Sequence, residues 1–294
     1  MTDSLPQLVA DAGCEIGENP LWHPQMGQVF FLDIPRGRIN AFDPATGAWR
    51  IFSQGRVTGG MLIHEDGSLL LFQDGAISLL GMDGKQRLLI EGVCPGNQRF
   101  NDVIADPRGR VFAGTLGGGP GKLYRFDPDG RQVKILDGVG VPNGMGFTPD
   151  LKHMYFTDSL PRKLYVFDYD IDTGELTEQR EFATVPLEEG VPDGMCVDAD
   201  GDVWTAVWFG ARLKRYAPNG SLDREVRFPV RQTSAITFGG EDLCDMYVTS
   251  AATTLADDML PPGFDKSWPR GGGLYRVRVP SVRGRSPFRS RIRF

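Results

Sequence analysis

The chain repeats one pattern of residues six times, and this repeat restricts the possible folds more than any other feature. Consecutive units begin 41, 42, 42, 50 and 41 residues apart, and each opens with a small or polar residue before an apolar run. Their first residues are Glu18, Gly59, Asn101, Asn143, Asp193 and Ser234. A period near 41 is typical of the four-stranded blade of a β-propeller.

Within each unit, short alternating runs are separated by turn residues. In the third unit, "NDVIADPRGRVFAGTL" supplies two runs, "KLYRFDPDG" a third and "QVKILDG" a weaker fourth. Alternation bounded by Gly, Asp, Asn and Pro indicates β-strands joined by tight turns. Four strands in each of six units predict an all-β, six-bladed β-propeller that forms a single domain over residues 1–294.

The two chain ends are expected to meet in the last blade. Residues 7–16, "QLVADAGCEI", have strand character and precede the first unit, whereas the sixth unit lacks a clear fourth strand. We therefore predict that this N-terminal segment is the outer strand of the last blade. Two stacked sandwich domains would explain neither the constant period nor the absence of a linker-like boundary.

Charge and hydropathy argue against nucleic-acid and membrane partners. The formal net charge is −6, whereas nucleic-acid surfaces usually carry a basic stripe. The basic segment 282–294 alternates with apolar residues, so we interpret it as an edge strand or a docked tail. No apolar run approaches the roughly 20 residues of a membrane span, and no signal peptide is evident, so we expect a cytoplasmic protein. The oligomeric state is left open.

The four cysteines are far apart in the sequence and form no CxxC pair. They are Cys14, Cys94, Cys196 and Cys244. Neither a zinc knuckle nor a redox motif is indicated, and isolated thiols are expected.

Because the repeats are arranged in a ring, residues that are aligned between units occupy equivalent positions around the central channel. The first strand of each unit is expected to be the innermost strand of a blade, so the six aligned residues should face one another at one mouth of the channel. Carboxylates at Glu18 and Asp193 would balance a 2+ charge, and Asn101 and Asn143 would add neutral oxygen ligands. Hard cations such as Ca²⁺ prefer such donors.

A structural role for the same residues is the alternative. The dipeptides that begin at Asn143 and Asp193 are Asn-Gly and Asp-Gly, which are common turn sequences. No turn rule requires Glu18 or Asn101 at the same register, so the four positions together favour a ligand site over turns.

The motifs "GENPLW", "RFND", "GRVFAGTL", "PNGMGFTPD" and "VPDGMCVDADGDVW" resemble those of the gluconolactonase, regucalcin and senescence marker protein family of propellers. The similarity extends from about residue 14 to 280. It implies one divalent cation, held by Glu18, Asn143 and Asp193, and substrate contacts from Arg99 and Asn101. In related organophosphate-hydrolysing propellers an Asn at the latter position binds the metal, so Asn101 has two possible roles.

One loop departs from this resemblance. Family members of the regucalcin type carry a longer, acid-containing insertion after "FAGT", whereas this chain has the short, glycine-rich "LGGGPGKLYRF". The departure leaves the metal chemistry intact and places the sugar preference in question. Trp208, Phe209 and the long segment 254–273 are further candidates near the pocket. Trp208 is expected to bind substrate, and the segment is either a loop that covers the channel mouth or a disordered excursion.

The leading hypothesis is hydrolysis of a sugar lactone, an aldonolactone as for gluconolactonases, that depends on a divalent cation, with Ca²⁺ preferred and Zn²⁺, Mn²⁺, Mg²⁺ or Fe²⁺ also compatible. The cation would polarise the lactone carbonyl and activate a water, and Asp193 would be the general base. Hydrolysis of another ester or an organophosphate at the same site, and calcium binding without catalysis, remain as alternatives.

Overall fold

Six four-stranded antiparallel sheets make up the computed structural model, which describes residues 5–94, 98–253 and 259–294. Each sheet is one blade, and its strands follow one another in chain order from the channel outward. Blade one contains β2 (Gly17–His23), β3 (Gln28–Asp33), β4 (Arg38–Asp43) and β5 (Ala48–Gln54). Blade two contains β6 (Thr58–Ile63), β7 (Leu69–Gln73), β8 (Ala76–Leu80) and β9 (Gln86–Glu91).

The next three blades repeat this order. Blade three contains β10 (Arg99–Ala105), β11 (Val111–Leu116), β12 (Gly121–Phe126) and β13 (Gln132–Val139). Blade four contains β14 (Pro142–Phe147), β15 (His153–Asp158), β16 (Lys163–Tyr169) and β17 (Leu176–Thr184). Blade five contains β18 (Val191–Val197), β19 (Val203–Trp208), β20 (Arg212–Tyr216) and β21 (Leu222–Arg227), and a 3₁₀ turn (Leu187–Glu189) precedes it. The predicted six-bladed propeller is therefore confirmed.

Blade six joins the two ends of the chain. It contains β22 (Thr233–Gly239), β23 (Asp245–Ser250) and β24 (Leu274–Val277), and its outer strand is β1 (Gln7–Ala10). Gln7 pairs with Arg276, and Ala10 pairs with Leu274. The prediction that the N-terminal segment closes the last blade is confirmed.

Apolar side chains fill the spaces between neighbouring blades. Phe72, Phe100 and Phe126, from blades two and three, meet with ring centroids 5.0 to 5.9 Å apart. The inner and second strands are buried along nearly their whole length, whereas an outer strand such as β5 is largely exposed. All four cysteines are free thiols, as predicted. In the described part of the chain, no helix is long and apolar enough to span a bilayer.

The basic C-terminal segment is a docked tail and not an edge strand. Ser290 N donates to Ile63 O at 2.9 Å, and Arg291 N donates to Gly109 O at 2.9 Å, so the tail crosses the hairpins of blades two and three. Ile292 is only 1% exposed. A cavity of about 170 Å³ lies in the channel, and its lining extends from Asp102 to Phe288 of the tail. The tail thus closes the channel mouth opposite the starts of the inner strands.

Candidate functional site

All six inner strands carry a one-residue β-bulge at the same level of the channel. The bulges lie between Glu18 and Leu21, Thr58 and Gly60, Phe100 and Val103, Pro142 and Met145, Pro192 and Met195, and Thr233 and Ile236. A bulge locally changes the direction of a side chain and is common next to functional sites. Asn101, Asn143 and Asp193 therefore leave the ordinary alternation of their strands at this level.

The alignment of the first unit requires a correction of one residue. Glu18 still pairs with Leu32, so the residue in the bulge of blade one is Asn19. Asn19 has a φ of 45° and accepts a hydrogen bond from Met61 N at 2.7 Å through Oδ1. It links blade one to blade two, and the carboxylate next to the site comes from the residue before the bulge.

Glu18 and Asp193 come together across the channel from blades one and five. Their carboxyl groups lie close enough for a hydrogen bond between them when one of the two carries a proton. Burial raises the pKa of Glu18 to about 8, and the negative charge of Asp102 adds to this effect. Burial, followed by the charge of Glu18, also raises the pKa of Asp193 well above its usual value. Two buried carboxyl groups in contact favour a compensating positive charge.

Asn143 lies in a chain of hydrogen bonds that fixes its side-chain amide. Its Nδ2 donates to Ser159 Oγ at 2.9 Å, and that hydroxyl donates to Pro192 O at 2.6 Å. Its Oδ1 accepts from Asn101 Nδ2 at 2.9 Å. The amide is only 8% exposed, and its oxygen keeps a second lone pair for another partner.

Arg99 and Asn101 form the polar edge of the site in blade three. One terminal NH₂ of Arg99 donates to Asn101 Oδ1 at 2.9 Å and to Phe100 O at 2.8 Å. Burial lowers the pKa of Arg99, and the carboxylates of Glu18 and Asp74 oppose this shift. The structure thus brings Arg99, Asn101 and Asn143 into one connected group.

Trp208 lies at the end of β19, on the apolar side of the site. It is 8% exposed and pairs with Val191, two residues before Asp193. Its ring contacts Phe209 with centroids 6.0 Å apart. Phe209 has a φ of 69°, a backbone conformation that is strained for a bulky residue.

Three residues near the site were missed by reasoning from the sequence. Ser159 supports Asn143, and the motif "YFTDS" that contains it was the available signal. Asp102 follows Asn101, and burial raises its pKa to about 6. The third residue, Asp74, follows β7 and is exposed.

A second acidic group lies on the opposite face of the propeller. Among the residues that the structure describes, Asp198, Asp200 and Asp202 are the one group of three acidic, His or Cys side chains close enough to share an ion. Arg215 already occupies this turn: one of its nitrogens lies 2.7 Å from Asp198 and 2.9 Å from Asp202. Because the guanidinium compensates these charges, the group does not require a cation.

The residues at the channel mouth fit a hard divalent cation better than a soft one. Two carboxyl groups and one amide oxygen converge there. Such oxygen donors suit Ca²⁺, Mg²⁺ or Mn²⁺, whereas thiolates would select softer ions. A bound cation would replace the proton that the two carboxyl groups share.

The fold and the site define a six-bladed propeller with carboxyl and amide oxygens at one mouth of its channel. Residues 16–252 match the model of the SMP-30/Gluconolactonase/LRE-like region, and the chain belongs to this family.

Three relatives extend over nearly the whole chain. Pentonolactonase XacC from Haloferax volcanii is 38% identical over 97% of this chain and 98% of its own. A solved luciferin-regenerating enzyme superposes with a TM-score of 0.89 at 26% identity, covering 99% of this chain and 100% of its own. The solved structure of a calcium-binding protein, regucalcin, from Agrobacterium tumefaciens superposes with a TM-score of 0.87 at 25% identity, covering 99% of this chain and 98% of its own.

Proposed function

We propose that the protein hydrolyses a small sugar lactone, with one divalent cation held by Glu18, Asn143 and Asp193. The observation that carries the proposal is the approach of two carboxyl groups from different blades, half-buried Glu18 and buried Asp193, next to an amide whose orientation is fixed. Membership of a family that includes gluconolactonases supports lactone hydrolysis as the reaction.

The bound cation would supply Lewis acidity toward the lactone carbonyl and compensate negative charge as the reaction proceeds. Asp193 is the general base and removes a proton from the attacking water. A carboxylate whose pKa is raised by burial is a stronger base once it is ionised. The water oxygen bonds to the carbonyl carbon, the ring C–O bond breaks, and the ring oxygen takes up a proton. The product is the open hydroxy acid.

Arg99 and Asn101 hold substrate oxygens in this scheme. Arg99 has N–H groups beyond the one that bonds to Asn101, and its planar group of donors suits two neighbouring oxygens. Asn101 is itself held by Arg99 and by Pro142 O, to which its Nδ2 donates at 2.9 Å. The pair therefore forms a pre-ordered polar edge and needs little rearrangement to bind hydroxyl groups.

A five-carbon sugar lactone is the preferred substrate class. The relative from Haloferax volcanii is named as a pentonolactonase. The loop between β11 and β12 is only residues 117–120, so blade three contributes no acidic insertion above the site. Ca²⁺ is the preferred cation, in keeping with the calcium-binding title of the regucalcin structure.

A pH-stat assay of lactone opening tests the proposal. The native chain is treated with a chelator, and Ca²⁺, Mn²⁺, Zn²⁺, Mg²⁺ or Fe²⁺ is then restored singly. We expect activity to disappear on chelation, to return with at least one ion, and to be lost in Asp193→Asn. Asp200→Asn is the matched control, because Asp200 is exposed in the acidic turn of the opposite face. Activity indifferent to the chelator and to Asp193→Asn would exclude this mechanism.

The second candidate function is cation binding without catalysis, which the calcium-binding title of the regucalcin structure favours. The lactone assay combined with calorimetry distinguishes it from lactone hydrolysis. If the second candidate is right, calorimetry should detect tight binding of one ion to the native chain and no such binding to Asp193→Asn. No five- or six-carbon lactone and no organophosphate ester would be hydrolysed.

A further inference from the structure

The chain makes a long excursion between β23 and β24, and its described parts, residues 251–253 and 259–273, meet at one point of blade six. Residues 254–258 of the segment that was expected to cover the channel mouth lie outside the described residues. Gly271 N donates to Ala251 O at 3.1 Å. Ser250 Oγ accepts from Gly272 N at 3.0 Å and from Gly273 N at 3.1 Å. The two ends of this excursion are thus joined where β23 ends, on the face of the propeller that carries the site. Long excursions with closed ends are frequently functional.

Arg231 holds the described part of this excursion, residues 259–268, against blade five. Its guanidinium carbon lies 5.4 Å from the ring centroid of Phe264 and 4.3 Å from that of Trp268. Cations over aromatic faces at these distances are attracted to them. Phe264 also meets Phe209 edge-on, with centroids 5.1 Å apart. Contacts that run through the Arg231 guanidinium therefore link Trp268 and Phe264 to the strained Phe209 beside Trp208.

The other end of the same segment reaches two more blades. Met259 O accepts a hydrogen bond from Arg162 of blade four at 3.3 Å. Met259 and Leu260 pack against one apolar cluster that contains Ile34 of blade one and Trp208 of blade five. These contacts place the segment across the mouth on the side of blades four, five, six and one.

The polar edge of the site lies on the other side. Arg99 and Asn101 belong to blade three, and in a ring of six blades the third is opposite the sixth, from which the excursion emerges. A substrate at the mouth would have hydrogen-bond donors along one edge and apolar or aromatic side chains along the other.

We propose that Met259, Leu260 and Phe264, in the segment 259–268 that Arg231 clamps, form a fixed apolar wall that sets the size of the substrate. The inference rests on the proposed lactone hydrolysis and specifies it further. Lactones with hydroxyl groups on one edge and a short substituent on the other fit between the two walls. A longer hydroxylated side chain would place its polar groups against the apolar wall, where they would be left without partners. Arg231 is a positioning residue and has no proposed contact with substrate.

The test compares two lactones with the same five-membered ring, one from a five-carbon and one from a six-carbon sugar acid. The second differs by one hydroxymethylene, and a difference of one methylene in an apolar pocket already discriminates by roughly 10- to 200-fold. We expect the native chain to prefer the shorter lactone in kcat/KM. Arg231→Ala should reduce this preference at least about tenfold, mainly through KM for the longer lactone, and Arg231→Lys should restore part of it. Hydrogen exchange of residues 259–268 should accelerate in Arg231→Ala.

Arg50→Ala is the matched control, because Arg50 makes the same kind of contact away from the site. Its guanidinium carbon lies 4.9 Å from the ring centroid of Phe52 on the outer strand of blade one. Arg50→Ala should leave the ratio of kcat/KM for the two lactones unchanged. If the native chain opens lactones and Arg231→Ala leaves the ratio unchanged, the apolar-wall inference is wrong and the proposed function stands. If the native chain opens neither lactone with any of the cations, both the proposed function and the apolar-wall inference are wrong.

Discussion

The carboxyl groups of Glu18 in blade one and Asp193 in blade five lie within hydrogen-bonding reach of each other at the channel mouth. Neither residue has a basic partner close enough to form an ion pair with it among the described residues. The contact is therefore unfavourable when both groups are ionised, and this gives the metal-free protein properties that can be measured.

Glu18→Gln should weaken cation binding far more than it destabilises the fold. The substitution removes one charged ligand and preserves the size of the side chain. We expect the Kd for Ca²⁺ to rise by at least the roughly 10- to 100-fold that is lost when a supporting partner of a metal site is removed. Calorimetry measures the Kd, and thermal unfolding in chelator measures stability. A lower Tm with an unchanged Kd would support the turn interpretation of this residue.

The stability of the metal-free protein should fall as the pH rises from about 4.5 to about 8. Burial raises the pKa of Glu18 from 4.5 to about 8, so over this range the folded protein retains a proton that the unfolded chain has lost. The free energy of unfolding therefore decreases with pH, by at most about 1.4 kcal/mol per pH unit for one proton. Urea unfolding at pH 5, 6.5 and 8 in chelator measures the slope. A smaller slope is expected in Glu18→Gln, and an identical slope would contradict the assignment.

Ser159→Ala should impair the site without unfolding the protein. The hydroxyl accepts from Asn143 and donates to Pro192 O, so its loss frees the amide of Asn143 to rotate. Loss of such a supporting partner typically costs 10- to 100-fold in metal affinity or activity. Titration with Ca²⁺ and the lactone assay both report the effect. Ser221→Ala is the control, because Ser221 makes its hydrogen bond to Asn219 within an exposed turn. Equal effects of the two substitutions would exclude a specific role for Ser159.

Ile292→Ala should destabilise the fold and leave the chemistry of the site intact. Ile292 is 1% exposed and packs with the cores of blades two and three, and a cavity of this kind typically costs 2–5 kcal/mol. Chemical denaturation measures the loss, and kcat below the unfolding transition should match the native value. Phe294→Ala provides a comparison, since Phe294 is 42% exposed. A large loss of kcat in folded Ile292→Ala would show that the tail influences the opposite mouth.

The sequence was sufficient to predict the propeller and the ring of polar residues. The period near 41 and the alternation within each unit are local patterns that directly reflect strand geometry. These patterns also predicted that Asn101, Asn143 and Asp193 lie at one level of the channel, because each residue occupies the same position in its repeat. The family resemblance named Glu18, Asn143 and Asp193 as ligands, and the structure brings Glu18 and Asp193 into contact.

The remaining features depend on contacts between residues that are distant in the chain. The residue of blade one that is equivalent to Asn101 is Asn19 and not Glu18, and no propensity distinguishes the two in that respect. The clamp of Arg231 on Phe264 and Trp268 joins two irregular segments, for which periodicity gives no information. The docking of Ile292 likewise depends on surfaces that exist only after the blades have assembled.

The pairing of β1 with β24 has a consequence for synthesis of the chain. Gln7 leaves the ribosome before the first blade, but its partner Arg276 emerges only after five complete blades have been made. During this interval the edge of β1 has no strand to pair with, and unpaired edges readily join other chains. Aggregation of the nascent protein should therefore respond to the speed of translation, because slower elongation prolongs the time that β1 remains unpaired.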